Sequence, residues 1–64
     1  MIKRIIKLES DINKREQERR YITNRALKRY RMLTEFEIRT IAKLESDNLR
    51  DQAEVRHLWE KLAR

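Results

Sequence analysis

The residues best suited to chemistry in this chain are the cations of a thirteen-residue stretch, Arg19–Arg31. This stretch contains six Lys or Arg residues and no Asp or Glu. On a helix, side chains three or four positions apart share a face, so the stretch would display a positively charged ridge. Such a ridge suits phosphate groups, whose negative charge dominates the affinity of proteins for DNA and RNA.

We predict that this ridge binds the phosphate backbone of DNA or RNA. Cations would contact phosphates, an amide would reach a base edge, and an aromatic ring would stack on a base. The six candidate nucleic-acid-binding residues are Arg20, Tyr21, Asn24, Arg25, Lys28 and Arg31. The alternatives are a face that only keeps the protein in solution, or one that binds an acidic protein or anionic lipids.

Other kinds of chemistry lack the residues that they need. Glu54 and His57 have the spacing of two metal ligands on one helix face, but the positions expected opposite them offer no further ligands. Ser10, Ser46 and Thr34 have no nearby base with an orienting acid, so nucleophilic catalysis is not expected. Cysteine and glycine are absent, which excludes thiolate metal sites and glycine-rich phosphate loops. We expect no enzyme activity, no metal and no cofactor.

Helices must position this ridge, and an internal repeat indicates how they arose. The letters KLESD occur at positions 7–11 and again at 43–47. Aligning 2–28 with 38–64 gives nine identities in 27 positions, seven of them in the first ten. We interpret residues 1–64 as a single helical-hairpin domain with an internal tandem helix duplication. Chance similarity within a Lys- and Glu-rich composition is the alternative, chiefly for the weaker second half.

The segment between the two copies predicts a reversal of the chain. Thr34 and Glu37 have the spacing of a capping box, in which each side chain bonds the other residue's backbone amide. Leu33 and Ile38 flank this box with the spacing of a hydrophobic staple. The cations between Lys28 and Arg31 suit the carboxyl end of a preceding helix, whose dipole is negative there. One helix should therefore end, and another begin, around Leu33.

The predicted fold is an all-α antiparallel helical hairpin, with long helices over about 2–31 and 35–63. A connection this short makes consecutive helices antiparallel neighbours. A single unbroken helix is the alternative, because the 36-residue offset of the repeat equals ten helical turns. No Gly or Pro marks a bend.

Apolar residues recur at helical spacing near both ends of each predicted helix, while the middles are polar. In the first helix they are Ile5, Leu8, Ile12, Ile22, Ala26, Tyr30 and Leu33. In the second helix they are Ile38, Ile41, Leu44, Val55, Leu58, Trp59 and Leu62. With the bend near Leu33, residues whose numbers add to about 66 would face each other. The ion pairs predicted on this basis are Arg15–Asp51, Arg19–Asp47 and Arg29–Glu37.

A two-helix hairpin buries only one stripe on each helix, which leaves other apolar side chains uncovered. We expect a homodimer in which two hairpins form a four-helix bundle. A larger protein partner that supplies the missing layer is the alternative.

A membrane is not expected as a partner. No apolar run has the length of a membrane span or of the core of a signal peptide. Met1–Lys7 is basic and amphipathic, but its isoleucines recur in the second copy of the repeat, which favours packing between helices. These features predict a cytoplasmic protein.

Charge is distributed unevenly and suggests two functions. Residues 1–33 carry eleven cations and four acids, whereas residues 34–64 carry six cations and seven acids. The first hypothesis is a small basic nucleic-acid-binding regulatory protein that acts through the cationic helix face. The alternative is a protein–protein interaction module, an adaptor or inhibitor that packs its helices on a larger protein.

Overall fold

The computed structural model describes residues 1–64 and consists of two antiparallel helices. Helix α1 spans Ile2–Lys28 and helix α2 spans Glu35–Ala63. Packed side by side, they form a rod with principal extents of 50 × 16 × 13 Å. The predicted all-α hairpin is therefore confirmed, and the single unbroken helix is excluded. Neither helix has an apolar stretch long enough to cross a membrane.

The capping box predicted at the start of α2 is present. Thr34 has an extended backbone, and its hydroxyl oxygen accepts a hydrogen bond from the Glu37 amide at 3.1 Å. In return, the Glu37 carboxylate accepts one from the Thr34 amide at 3.0 Å. Two amides that the first helical turn would leave unpaired are thus satisfied.

Helix α1 ends at Lys28, three residues before the predicted end at Arg31. The Arg31 amide donates to the Ala26 carbonyl and the Tyr30 amide donates to the Leu27 carbonyl, which is the Schellman pattern of helix termination. This pattern places Tyr30 in the left-handed region, with φ of 50°. The prediction failed here because this position usually carries Gly or Asn, and Tyr gives no sequence signal for it.

The two helices meet along a seam whose residues are spaced alternately three and four positions apart, as in a coiled coil. On α1 the seam residues are Ile5, Leu8, Ile12, Arg15, Arg19, Ile22 and Ala26. On α2 they are Glu37, Ile41, Leu44, Asn48, Asp51, Val55 and Leu58. All of these residues are buried or half-buried. The buried apolar side chains lie towards the two ends of α1, in agreement with the predicted apolar layers.

Four residues predicted for the core are exposed instead. Tyr30 is 98% exposed because it lies beyond the end of α1. Ile38 and Trp59 each follow a seam residue by one position, so their side chains point to one side of the seam. Leu62 continues the seam spacing but lies at the open end of the hairpin, where α1 is only beginning.

The centre of the seam is polar. Arg15 Nη1 donates to the Asp51 carboxylate at 2.5 Å and to the Asn48 amide oxygen at 3.4 Å. Asn48 Nδ2 donates to the Ile12 carbonyl at 3.3 Å. The hydrogen bond from Arg15, supported by one from Arg50, holds the pKa of Asp51 below its usual value although burial opposes this. No buried side-chain nitrogen or oxygen lacks a hydrogen-bond partner.

The predicted Arg15–Asp51 pair is therefore confirmed, but the other two predicted pairs are wrong. Arg19 bonds Glu16 on its own helix, and Asp47 pairs with Arg50. Glu37 does not pair with Arg29, because its carboxylate binds the guanidinium groups of two other arginines. The cause is the early end of α1, which lengthens the turn. The cross-helix contacts Ile12–Asn48 and Arg25–Glu37 join residues whose numbers add to 60 and 62 rather than 66.

The seam separates two sides of the hairpin with different chemistry. The Arg4–Glu54 hydrogen bond crosses between the helices on one side, which we call the charged face. It comprises Arg4, Lys7, Asp11, Lys14, Glu18, Tyr21, Arg25 and Lys28 of α1 with Phe36, Thr40, Lys43, Asp47, Arg50, Glu54, His57 and Lys61 of α2. The other side, which we call the mixed face, comprises Ile2, Ile6, Glu9, Asn13, Glu16, Arg20, Thr23 and Leu27 of α1 with Ile38, Ala42, Glu45, Leu49, Gln52, Arg56, Trp59 and Ala63 of α2. The charged face carries eight cations and four acids, whereas the mixed face carries two cations and three acids.

We predict that Tyr30→Gly stabilises the hairpin by about 1 kcal/mol, because a residue with a Cβ atom pays roughly that cost in the left-handed region. Little packing is removed, since the Tyr30 side chain is almost fully exposed. In a domain of this size the melting temperature should rise by about 4–8 °C, measured by far-UV circular dichroism.

The matched control for this change is Arg29→Gly at the preceding position. Arg29 has φ of −95° and needs no glycine, so this variant should gain no stability. Equal melting temperatures for the Tyr30→Gly variant and the parent would show that the left-handed residue carries no cost.

Candidate nucleic-acid interface

Five of the six predicted binding residues lie within the last nine residues of α1, and none of the five belongs to the seam. Tyr21, Asn24, Arg25 and Lys28 line an open surface groove together with Leu27. Arg20 begins the same ridge one helical turn before Asn24. The structure thus brings together two cations, an amide and an aromatic ring, and the groove lining contains no carboxylate.

Tyr21 and Arg25 form a cation–π pair within the groove. The guanidinium carbon of Arg25 lies 5.6 Å from the centre of the Tyr21 ring. Such a contact favours a guanidinium held against the ring face. It restrains the two side chains that the sequence assigned to charge and to stacking, and about two thirds of the Tyr21 surface remains exposed.

Glu37 separates the predicted cations that it binds, Arg25 and Arg31, from those that it does not bind, Arg20 and Lys28. Its carboxylate accepts two hydrogen bonds from Arg31, at 2.7 and 3.0 Å, and one from Arg25 at 3.3 Å. Arg31 Nη1 also donates to the Met32 carbonyl at 3.1 Å. A two-bond guanidinium–carboxylate pair is strong and directional. Arg31 is therefore bound within the turn. It does not extend the ridge beyond Lys28, although the longer helix predicted from the sequence would have placed it there.

The electrostatics of this cluster follow from its hydrogen bonds. The Arg31 guanidinium, then the Thr34 amide, and more weakly Arg25, hold the pKa of Glu37 far below its usual range, although desolvation opposes them. The Glu37 carboxylate also raises the pKa of Arg31. The Glu37 side chain is only 7% exposed, so it anchors the turn from within.

Lys28 and Arg20 are the cations most available to an external anion. Lys28 has no carboxylate within ion-pair distance and is exposed. Arg20 lies 3.5 Å from the Glu16 carboxylate, with about two thirds of its side chain exposed, and such surface pairs contribute little. Glu16 is bound more closely by Arg19, whose hydrogen bond is the main cause of the lowered pKa of Glu16. A phosphate could therefore bind both cations without breaking a strong pair.

Sequence reasoning missed two features of this surface. Leu27 lines the groove although it is apolar, because it lies three positions after Asn24 on the helix. Arg29 is exposed and has no carboxylate partner, since it caps α1 instead of pairing with Glu37. The spacing of Leu27 could have been read from the sequence, but the free state of Arg29 depends on the conformation of Tyr30.

The second motif singled out in the sequence, Glu54 with His57, is part of the charged face. Glu54 accepts hydrogen bonds from Arg4 at 2.7 and 3.4 Å. No three His, Cys, Asp or Glu side chains of the hairpin converge in a way that could hold a metal ion. The chain has no significant match among protein-family models, curated proteins or solved structures.

We predict that Glu37→Gln lowers the melting temperature at pH 7 and that this deficit shrinks in acid. Because the pKa of Glu37 is lowered in the fold, its ionised form stabilises the hairpin above the unfolded-state pKa of about 4.3. That contribution disappears as the pH falls towards the folded-state value. Thermal melts followed by circular dichroism from pH 7 to about pH 2 should therefore show the curves of parent and variant converging.

Glu60→Gln is the control, because this exposed carboxylate has no bonded partner. It should leave the melting temperature at pH 7 nearly unchanged. A Glu37→Gln variant that keeps a constant deficit down to the lowest pH would show that ionisation of Glu37 does not stabilise the turn.

Proposed function

We propose that this chain is a small basic nucleic-acid-binding regulatory protein of the cytoplasm, which binds the phosphate backbone of DNA or RNA through the end of α1. The observation that carries the proposal is the groove of Tyr21, Asn24, Arg25, Leu27 and Lys28, which holds cations, an amide and a ring but no carboxylate. Because a phosphate backbone repels carboxylates and attracts cations, this composition suits it.

The residues take different roles in this proposal. Lys28 and Arg20 supply phosphate contacts, since no strong internal ion pair holds either of them. Arg25 adds charge while its stacking on Tyr21 keeps the ring in place, and the exposed ring offers a surface for an unpaired base. Asn24 lies in the same groove and has the donor and acceptor needed at a base edge. Arg31 supports the site indirectly through Glu37.

The test is the salt dependence of binding to a generic duplex and a single-stranded oligonucleotide. Removing one phosphate-binding cation should reduce the slope of log affinity against log salt concentration by about one. We expect Lys28→Gln to lower the slope by about one, and the pair Arg20→Gln with Lys28→Gln by about two. Fluorescence anisotropy at several salt concentrations measures this.

Lys43→Gln with Lys61→Gln is the matched control, because it removes the same charge from exposed α2 lysines that have no carboxylate partner. Equal slopes for the two double variants would mean that net charge alone governs binding, and the site would be rejected. The oligomeric state of each variant is measured in the same buffers, since Arg20 belongs to the mixed face.

A protein–protein interaction module is the second candidate, and one observation favours it. Around the turn, an apolar groove is lined by Thr23, Ala26, Leu27, Arg31, Met32, Leu33 and Ile38. Met32, one of these lining residues, is almost fully exposed. An exposed apolar surface of this kind suits a larger protein that packs on the tip of the hairpin.

This candidate predicts proteins that are captured by the parent chain but not by the Met32→Glu variant. Their capture must also survive nuclease treatment, which separates them from proteins held through nucleic acid. Affinity purification with quantitative mass spectrometry measures both. The same set of proteins with the parent and the variant would exclude the turn groove as a docking site.

A further inference from the structure

Uncovered apolar surface on the two helices is concentrated on the mixed face. Six large side chains on that face are each at least half exposed. They are Ile2, Ile6, Leu27, Ile38, Leu49 and Trp59. The charged face has only Tyr21 and Phe36 of comparable size. One-sided apolar exposure of this kind marks an interface.

The elongated hairpin exposes enough surface for a standard dimer interface. The hairpin exposes 5512 Å², whereas a compact monomer of its mass would expose about 4,450 Å². The excess of about 1,050 Å² follows from the elongated shape of the rod, and it exceeds the roughly 800 Å² that each partner buries in a standard interface. A second hairpin of the same length is therefore large enough to cover the face.

Charge on the mixed face also favours a second copy as the occupant. The chain carries a net charge of +6, so two copies repel each other over most of their surfaces. The mixed face carries two cations and three acids, and there this repulsion is absent.

We propose that the mixed face binds the mixed face of a second copy, in a head-to-tail dimer with turns at opposite ends. This inference does not depend on nucleic-acid binding. The two-fold axis would run across the helices at the level of Leu49, which is also the level of Arg15 because Arg15 contacts Asn48. Each helix would then lie antiparallel on its own counterpart in the second copy.

In this arrangement chemically matched residues meet on both helices. On α1, Ile2 of one copy lies level with Leu27 of the second copy, and Glu9 lies level with Arg20. On α2, Ile38 lies level with Trp59 of the second copy. Leu49, an isolated apolar residue in the polar middle of α2, meets its own counterpart on the axis. Apolar ends and an apolar centre would thus be covered together.

The opposite orientation, with both turns at the same end, is less favourable. The two-fold axis would then run along the rod and place α1 of one copy over α2 of the other. Glu16 would lie beside Glu45 of the second copy, and Leu49 would face Asn13. Two carboxylates would meet and the central leucine would have no apolar partner, so the head-to-tail form is preferred.

Substituting the axis residue with cysteine tests the orientation. The chain has no cysteine of its own, so a single Leu49→Cys thiol can form a disulfide only with a second copy. Its Cβ atoms must lie about 3.5–4.5 Å apart, which only a two-fold axis at this residue provides. We expect efficient covalent dimer formation under mild oxidation for Leu49→Cys and little for Phe36→Cys on the charged face. Equal yields for both variants would overturn the head-to-tail arrangement.

Charge substitution tests the face itself. Leu49→Glu brings two carboxylates together on the axis and should raise the dimer dissociation constant by about a hundredfold. Phe36→Glu introduces the same charge at a similarly exposed residue of the opposite side and should leave dimerisation intact. Sedimentation equilibrium measures both, and circular dichroism confirms that each variant is helical. A parent chain that is monomeric at high micromolar concentration, or a Leu49→Glu variant that dimerises as tightly as the parent, would overturn the proposal.

Discussion

The alignment of the two helices depends on one ion pair, between the half-buried Arg15 and the buried Asp51 at the centre of the seam. Removing two charges from water is costly, and the hydrogen bonds of Asn48 and Arg50 help to offset this cost. The pair stabilises less than an apolar layer would, but it selects the alignment of the helices. If α2 slid by one heptad of the seam in either direction, Arg15 would face apolar side chains and its charge would be buried without a partner. The apolar layers at both ends provide the stability, and the polar centre determines which residues meet.

The sequence predicted those parts of the fold that depend on local chemistry or on complementary charges. Thr34 and Glu37 form the expected capping box because the motif needs only residues of one turn. Arg15 reaches Asp51 despite the offset in register because its long side chain extends past Asn48, which it also contacts. The other two predicted pairs were wrong because the same offset runs along the whole hairpin and places other charged groups closer. The source of this offset is Tyr30, which adopts a backbone conformation that its residue type disfavours and so ends α1 early.

The same local event explains how far the candidate site could be predicted. Sequence reasoning identified a run of cations, and five of the six candidate binding residues lie on α1 outside the seam. It could not show which cations form ion pairs within the protein, because the density of cations in the sequence is the same whether or not they are paired. Once the chain turns at Tyr30, the Arg31 side chain reaches Glu37 and Arg25 shares the same carboxylate. Lys28 and Arg20 remain available to an external anion. The turn therefore determines which cations of the run are paired and which are free.

The seam takes only one stripe of residues from each helix, which leaves two different faces on the hairpin. Nucleic-acid binding and dimerisation can therefore use largely different surfaces. Residues equivalent in the sequence repeat occupy equivalent seam positions, and two such pairs, Arg15 with Asp51 and Ile12 with Asn48, bond directly. A head-to-tail dimer on the mixed face would place both α1 helices along one edge. Tyr21, Asn24, Arg25 and Lys28 of each groove would remain uncovered, while Arg20 and Leu27 would lie at the dimer interface. At 1.5 Å per residue, groove centres near Asn24 would lie about 30 Å apart, close to the roughly 34 Å of one turn of B-DNA. Dimerisation through one face would therefore set the spacing at which the other surface meets a phosphate backbone.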